Sequence, residues 1–270
     1  MIAGIIMTNS QDLGEININN CNVENINIDN NAGGHVAGII GYIEGGKPTG
    51  VNITNCNVNN TSLSARNNGQ LDVSAIVGSA IRVGDINFNN CKSENNIFNS
   101  KGYNNSYATQ AGLVGFASTQ TANFENCDVK NTSLTTYGGK IAGLVGGIIS
   151  SEYTNDFIIN FEKCNVIDTT MNGRTDENGV YGANEAGGLV ALVDEAGVKI
   201  KDCEINSTDA NNKLNISGNY YIGGVVGFAK RGVILENVKA SNLNIKSTGN
   251  NLVAGGMLMQ AEKLLLKNVF

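Results

Sequence analysis

The chain has 270 residues, a net charge of −6 at pH 7, 34 Gly, 1 Pro and no Trp. Its Lys and Arg residues are scattered along an acidic chain, which argues against nucleic acid as a partner, because nucleic-acid binding requires a basic face. No apolar stretch approaches the length of a transmembrane helix, so membrane insertion is not expected. Abundant Val, Ile, Gly and Asn favour an all-β fold.

The first predicted element is a short strand that ends just before a cysteine. Ile16 and Ile18 alternate with polar residues, which places both side chains on one face of a strand. Copies of this strand recur every 35 to 39 residues and are followed by the six cysteines: Cys21, Cys56, Cys91, Cys127, Cys164 and Cys203. In two later copies Val238 and Val269 replace Cys. A position that accepts either residue predicts a structural ladder of buried free thiols, without disulfides or a metal ion.

Three further features recur in the copies. An Asn four residues after the cysteine predicts a ladder of turns, and seven residues after the cysteine lies a weaker apolar position. A segment such as Gly112-Leu113-Val114-Gly115 completes the unit, which we expect to hold two or three short strands. One copy cannot bury its apolar faces alone, so successive copies are expected to stack in parallel, about 4.8 Å apart.

The predicted fold is therefore all-β: a single parallel, right-handed β-helix or β-solenoid of about seven coils, each of roughly 35 residues. It is expected to form one domain over residues 1–270. The chain begins and ends in mid-repeat, so we expect it to be a fragment of a longer protein. The tail contains Leu264 and Leu266 at strand spacing and is predicted to be a further strand.

The glycine-rich segments carry a resemblance to a known family. Gly112-Leu113-Val114-Gly115 and Gly143-Leu144-Val145-Gly146, which follow Cys-ended strands, resemble the GLUG-motif repeats of large bacterial surface and secreted proteins. These proteins include adhesin-like β-helices and the non-catalytic stretches of immunoglobulin A protease-type metallopeptidases. The resemblance covers essentially the whole chain. It implies a parallel β-helix and an extracellular or cell-surface location in bacteria, and it brings no catalytic residues.

The single histidine, His35, precedes a predicted core strand. No Gly-x-Ser-x-Gly or His-Glu-x-x-His motif accompanies it, so neither a serine nucleophile nor a zinc protease site is predicted. We interpret His35 as a solvent-facing turn residue. No cofactor is expected.

Acidic residues concentrate where the loops between repeated segments are longest. The candidate binding residues are Glu152, Asp156, Asp176, Glu177 and Glu185, and Asp194 and Glu195 follow shortly after. Long loops on a rigid solenoid are common positions for binding sites. The alternative interpretation, favoured for an acidic protein, is that these loops are simply solvated.

These features predict a structural or adhesive, non-catalytic β-helical segment of a bacterial cell-surface or secreted protein. Ladders of Asn, Thr and Ser would offer hydrogen bonds to a host glycan or protein, or to cell-wall polysaccharide. The alternative is a carbohydrate-active β-helix, a polysaccharide lyase or hydrolase, that uses acids of the 150–195 loops.

Overall fold

A computed structural model describes residues 3–7, 14–31, 33–45, 50–66, 70–101, 108–152, 154–174, 183–209, 213–247, 253–256, 258–260 and 263–270. The regular secondary structure of these residues consists of strands, numbered β1 to β35 in chain order. The strands form four sheets.

Sheet 1 has fourteen strands. Its strands are β1 (Ala3–Met7), β2 (Ile16–Asn19), β6 (Ile40–Glu44), β7 (Val51–Thr54), β11 (Val77–Asn89), β15 (Val114–Glu125), β19 (Val145–Ser150), β20 (Phe157–Glu162), β24 (Val190–Asp194), β25 (Gly197–Lys201), β29 (Val226–Ala229), β30 (Gly232–Glu236), β34 (Leu258–Gln260) and β35 (Lys263–Lys267). Most coils place two short strands in it, whereas in two coils a single long strand, β11 or β15, takes the place of both.

Sheets 2, 3 and 4 have seven strands each, one from each coil. Sheet 2 contains β3 (Asn22–Glu24), β8 (Asn57–Asn59), β12 (Lys92–Glu94), β16 (Asp128–Lys130), β21 (Asn165–Ile167), β26 (Glu204–Asn206) and β31 (Lys239–Ser241). Sheet 3 contains β4 (Asn27–Asn30), β9 (Ser62–Arg66), β13 (Ile97–Lys101), β17 (Ser133–Thr136), β22 (Thr170–Gly173), β27 (Leu214–Gly218) and β32 (Leu243–Ser247). Sheet 4 contains β5 (Gly34–Ala37), β10 (Leu71–Ser74), β14 (Thr109–Ala111), β18 (Lys140–Ala142), β23 (Glu185–Gly187), β28 (Tyr221–Gly223) and β33 (Val253–Gly255).

Neighbouring strands of each sheet are parallel and come from successive coils. Val51, for example, pairs with Ile16 of the preceding coil and with Ile86 of the next. The predicted all-β, parallel β-solenoid is thereby confirmed, and so is the strand at Leu264 and Leu266. The expectation of two or three strands per unit was too low. A coil contributes one strand to each of sheets 2, 3 and 4 and up to two strands to sheet 1. The corners between sheets 1 and 2 and between sheets 2 and 3 are in most coils only about two residues long, which leaves most of each coil in strands.

Two of these corners are made by single residues in the left-handed conformation. Asn20 (φ 58°) separates sheet 1 from sheet 2, and Asn25 (φ 57°) separates sheet 2 from sheet 3. Asn tolerates this conformation better than most residues, and its amide can bond locally. Equivalent corners recur along the molecule at Asn55, Asn60, Asn90, Asn95, Asn126, Asn131, Lys163, Asp168, Asp202, Asn237, Asn242 and Asn268. The turn ladder predicted four residues after the cysteines is thus present, and a second one immediately precedes them.

The corner between sheets 4 and 1 explains the Gly-Leu-Val-Gly segment. A side chain at Gly143 would collide with the carbonyl oxygen of Gly188 in the next coil and with Val166 in the core. The following Leu144 is fully buried, and its amide donates to the carbonyl of Leu189 at 3.0 Å. The first glycine therefore permits close stacking of the coils, and the leucine fills the interior.

The core is one continuous column of stacked apolar side chains. Beneath sheet 1, Phe88, Phe124 and Phe161 stack with ring centroids 5.1 Å and 4.8 Å apart. Beneath sheet 3, the predicted apolar position seven residues after the cysteine is occupied by residues such as Leu63 and Phe98, both buried. The strands therefore alternate between core residues and outward residues, and the outward residues form flat rows on the surface.

Candidate functional site

The outer face of sheet 3 is the candidate binding surface. Its strands alternate inward residues such as Leu134, which is fully buried, with outward hydroxyl and amide residues such as Ser133 and Thr135. Pairing between strands places the equivalent residues of successive coils in register; Asn99, for example, pairs with Thr135. The face therefore presents a regular array of polar side chains, most of them short and uncharged.

Many of these polar side chains have unused hydrogen-bonding capacity. Within the described residues, no side-chain hydrogen bond is made by Ser62, Asn99, Ser133, Thr135, Thr170 or Asn172. Half-buried polar groups at a surface bond to water, which a ligand that offers matching groups can replace. Ile97, whose exposed fraction is 53%, adds an apolar patch among them.

Three open depressions lie on this face, with volumes of about 480, 390 and 330 Å³. The largest lies beside β22 and β27 and includes Asp168 and Lys213. The second lies between Asn172 and Lys246. The smallest is lined by Ser62, Ser64, Ala65, Arg66, Asn99, Lys101, Thr135, Tyr137 and Arg174, and it shares Arg174 with the second. The depressions thus form an extended surface rather than an enclosed pocket.

Asp168 organises the edge of the largest depression. Its carboxylate accepts hydrogen bonds from the hydroxyl of Ser207 at 3.0 Å and from the backbone amide and hydroxyl of Thr208, each at 2.7 Å. Partial burial raises the pKa of this carboxyl, but the bonds from Thr208 and Ser207 outweigh it, so that the pKa of Asp168 is lowered. Asp168 is therefore engaged in holding the 207–209 segment.

The outer face of sheet 1 has a different character, because its amides bond to one another. Asn52 donates to Asn17 at 3.0 Å, Asn87 to Asn52 at 2.9 Å, Asn123 to Asn87 at 2.9 Å and Asn160 to Asn123 at 3.0 Å. This amide ladder, Asn17-Asn52-Asn87-Asn123-Asn160, ties five coils together. Its hydrogen-bonding groups are thus largely used inside the protein.

The candidate acids are spread over several elements. Glu152 follows β19 and accepts a hydrogen bond from Gln120 at 2.9 Å, while Asp156 lies just before β20. Glu185 begins β23 in sheet 4. Asp176 and Glu177 lie outside the described residues.

Asp194 and Glu195 come together around a cation. Lys230 lies 3.1 Å from Asp194 and 2.6 Å from Glu195, and Arg231 lies 3.4 Å from Glu195. The hydrogen bond from Lys230 is the main reason that the pKa of Glu195 is lowered. Asp194 and Glu195 thus form an ion-pair cluster with Lys230 and Arg231, an arrangement that suits a structural role.

The side chain of Glu185 is more buried than those of the other candidate acids that the structure describes. Its carboxylate is 4.0 Å from the Lys140 ammonium of the neighbouring coil, and burial raises the pKa of Glu185 despite that cation. The residue that pairs with it in the next coil is Tyr221. Glu185 thus belongs to a half-buried row of sheet 4.

The interpretation of His35 as a solvent-facing turn residue was wrong. His35 lies in β5, only 20% of its side chain is exposed, and its Nδ1 is 2.7 Å from the carboxylate of Asp72. Asp72 is fully buried and also accepts hydrogen bonds from Thr109 and Gln70. Tyr42 stacks on the His35 ring at 4.7 Å. Only the folding of the coils brings Asp72 next to His35, so the sequence around His35 contained no signal for the pair.

The six cysteines are free thiols at equivalent corners of successive coils, and all but Cys21 are buried. The thiols of Cys91 and Cys164 lie 3.4 Å and 3.3 Å from backbone carbonyls of the preceding coil. Burial is the main cause that raises the pKa of Cys164. Val238 occupies the same corner and is fully buried. Burial of the thiols, and the presence of Val at the same position, indicate that the cysteines fill space in the core.

Among the described residues, no cluster of three or more His, Cys, Asp or Glu side chains is arranged to hold a metal ion. Nor do those residues contain a helix of the length and apolarity required to span a membrane. The residues of the sheet 3 face were not predicted individually from the sequence. The sequence pattern that indicates them is a polar residue on each side of the apolar position that lies seven residues after the cysteine, such as Ser62 and Ser64 around Leu63.

Comparison with protein-family models, with curated proteins and with solved structures gave no match.

Proposed function

We propose that this chain is a non-catalytic, carbohydrate-binding β-solenoid segment of a bacterial cell-surface or secreted protein, with GLUG-type repeats. The binding surface is the outer face of sheet 3. The observation that carries the proposal is the row of hydroxyl and amide groups without side-chain hydrogen bonds, among them Ser62, Asn99 and Thr135. Sugars offer many hydroxyl groups at short intervals, and such groups pair well with a repeating polar surface.

The shape of the surface suits a polymer. The smallest and the second depression adjoin at Arg174 and together extend along the coil axis from Ser62 to Lys246, and the coils repeat about every 4.8 Å, a spacing comparable to that of sugar units in an extended chain. A rigid solenoid holds these groups in place before binding, which reduces the entropic cost of association. Weak contacts repeated over several coils then add up to useful affinity.

The test is binding of the purified chain to a panel of neutral and anionic polysaccharides, measured by affinity electrophoresis. The triple variant Ser62→Ala, Asn99→Ala and Thr135→Ala removes three polar groups from one depression without removing an internal hydrogen bond. We expect it to weaken binding at least about tenfold, which corresponds to the loss of a few weak hydrogen bonds.

A matched control is the variant Asn19→Ala, Thr54→Ala and Asn89→Ala at the edge of sheet 1, which should bind as the wild type does. Assay of new reducing or unsaturated chain ends in the same samples tests the enzymatic alternative. Turnover by the wild type, lost on substitution of acids in the 150–195 region, would contradict the non-catalytic proposal.

A further inference from the structure

The outer face of sheet 3 carries a positive row within an acidic protein. Arg66 and Lys101 are in register at the ends of β9 and β13. Tyr137 and Arg174 occupy the corresponding places in the next two coils, with their amides bonded to the carbonyls of Ser100 and Thr136. The cationic row Arg66-Lys101-Tyr137-Arg174 thus runs through four successive coils and lines a single depression.

The charge of this face differs from that of the whole chain. The net charge of the chain is −6, yet the seven strands of sheet 3 contain one acid, Asp29, against Arg66, Lys101 and Lys246. Asp29 lies at one end of the row, 3.8 Å from Arg66. Lys101 and Arg174 have no acidic partner within the described residues. Among the described residues, nothing neutralises two of the three cations of the row, which leaves them able to bind an anion.

We propose that the cationic row binds the carboxylate or sulfate groups of an anionic polysaccharide. This inference rests on the proposed carbohydrate-binding function and adds the class of its ligand. Arg66 and Arg174 are three coils apart, about 14 Å, a distance that a short extended oligosaccharide spans. Guanidinium groups pair with carboxylate and sulfate through two parallel hydrogen bonds, and the Tyr137 ring supplies a face against which a sugar ring packs.

The surroundings favour a polysaccharide over a nucleic acid. Single-stranded nucleic acids are bound by series of aromatic residues that stack on successive bases. Among the residues that line the three depressions, Tyr137 is the only aromatic one. The remaining lining groups are mostly hydroxyls and amides, which match sugar hydroxyls.

The experiment measures binding of the whole chain to polygalacturonate, to heparin and to neutral xyloglucan, at low and high NaCl concentrations. The test variant is Arg66→Gln, Lys101→Gln and Arg174→Gln. The control is Lys92→Gln, Lys130→Gln and Lys239→Gln on sheet 2, which changes the net charge equally. We expect salt-sensitive binding of a polyanion that falls at least about tenfold in the test variant and less than about twofold in the control. Polygalacturonate and heparin distinguish carboxylate from sulfate recognition.

Binding of xyloglucan alone, or polyanion binding that the test variant retains, would overturn the anionic-ligand inference and leave the carbohydrate-binding function standing. Equal binding of single-stranded DNA, lost in the same variant, would also overturn it, because the row would then respond to charge alone. Failure of the wild type to bind any of the three polysaccharides would overturn the proposed function itself.

Discussion

The outer faces of sheets 1 and 3 are built from similar residues and use them differently. Asn87 on sheet 1 donates to Asn52 and accepts from Asn123, so its amide is bonded on both sides. Asn99 on sheet 3, in the same coil and similarly half-buried, makes no side-chain hydrogen bond within the described residues. A repeated polar residue therefore stabilises the solenoid only where its neighbours in the stack complement it.

The neighbours in the stack decide which role is taken. Asn87 pairs with Asn52 and Asn123, and identical amides in a parallel stack can donate and accept in turn. Asn99 pairs with Ser64 and Thr135, whose short hydroxyls do not extend the chain of amides. The amide ladder therefore has a structural role, whereas the sheet 3 face keeps the unused hydrogen-bonding groups on which the proposed binding role depends.

The largest effect on stability is expected from a substitution at the glycine corner between sheets 4 and 1, which sets the spacing of the coils. In the variant Gly143→Ala the added methyl group would meet the Gly188 carbonyl and Val166, so the coils must move apart. We expect the free energy of unfolding to fall by about 3 kcal/mol or more. Urea denaturation followed by circular dichroism measures it. Gly50→Ala is the control, because its nearest neighbour is the Glu15 Cγ at 3.7 Å, and equal destabilisation by both would contradict this explanation of the motif.

Gln110 is a buried amide without a hydrogen-bond partner among the described residues. It is fully buried in β14 between Val73 and Ile141 of the adjacent coils, and within that part of the chain neither of its polar side-chain atoms is bonded. Gln110→Met keeps nearly the same shape and removes the unsatisfied groups. The free energy of unfolding should rise by about 1 to 3 kcal/mol, as the same denaturation experiment would reveal. A loss of stability would mean that Gln110 is satisfied in solution.

The paired variants Asn87→Ala and Asn99→Ala test the comparison itself. Loss of Asn87 interrupts the amide ladder and should lower the free energy of unfolding by about 1 kcal/mol. Loss of Asn99 should change it by less than about 0.5 kcal/mol, because no internal bond is removed. Equal effects in denaturation would show that the ladder bonds do not contribute to stability.

A conservative exchange at the cysteine corner between sheets 1 and 2 is expected to have only a small effect. Cys127→Val should alter the free energy of unfolding by less than about 1.5 kcal/mol, because Val238 fills the same corner.

The native protein should also resist alkylation by iodoacetamide at Cys164, whose burial raises the thiol pKa and blocks access. Rapid alkylation of the folded chain would contradict the packing role.

The sequence predicted the fold because each stacked row repeats one residue type at one position. The spacing of the cysteines and the exchange at Val238 sufficed for the coil and for the buried corner. Contacts between unlike residues of different coils were not predictable in the same way. Asp72 reaches His35 only through stacking, and Asn87 and Asn99 look alike until their neighbours are known. The cationic row was likewise hidden, because Arg66, Lys101 and Arg174 stand singly in the sequence.

The central claim is that the sheet 3 face binds ligand while the amide ladder of sheet 1 maintains the structure. The most direct test measures polysaccharide affinity for Asn87→Ala and Asn99→Ala beside their stabilities. The account predicts opposite outcomes: Asn87→Ala keeps the affinity of the wild type and loses stability, and Asn99→Ala keeps stability and loses affinity. Lost affinity in Asn87→Ala with unchanged affinity in Asn99→Ala would contradict it.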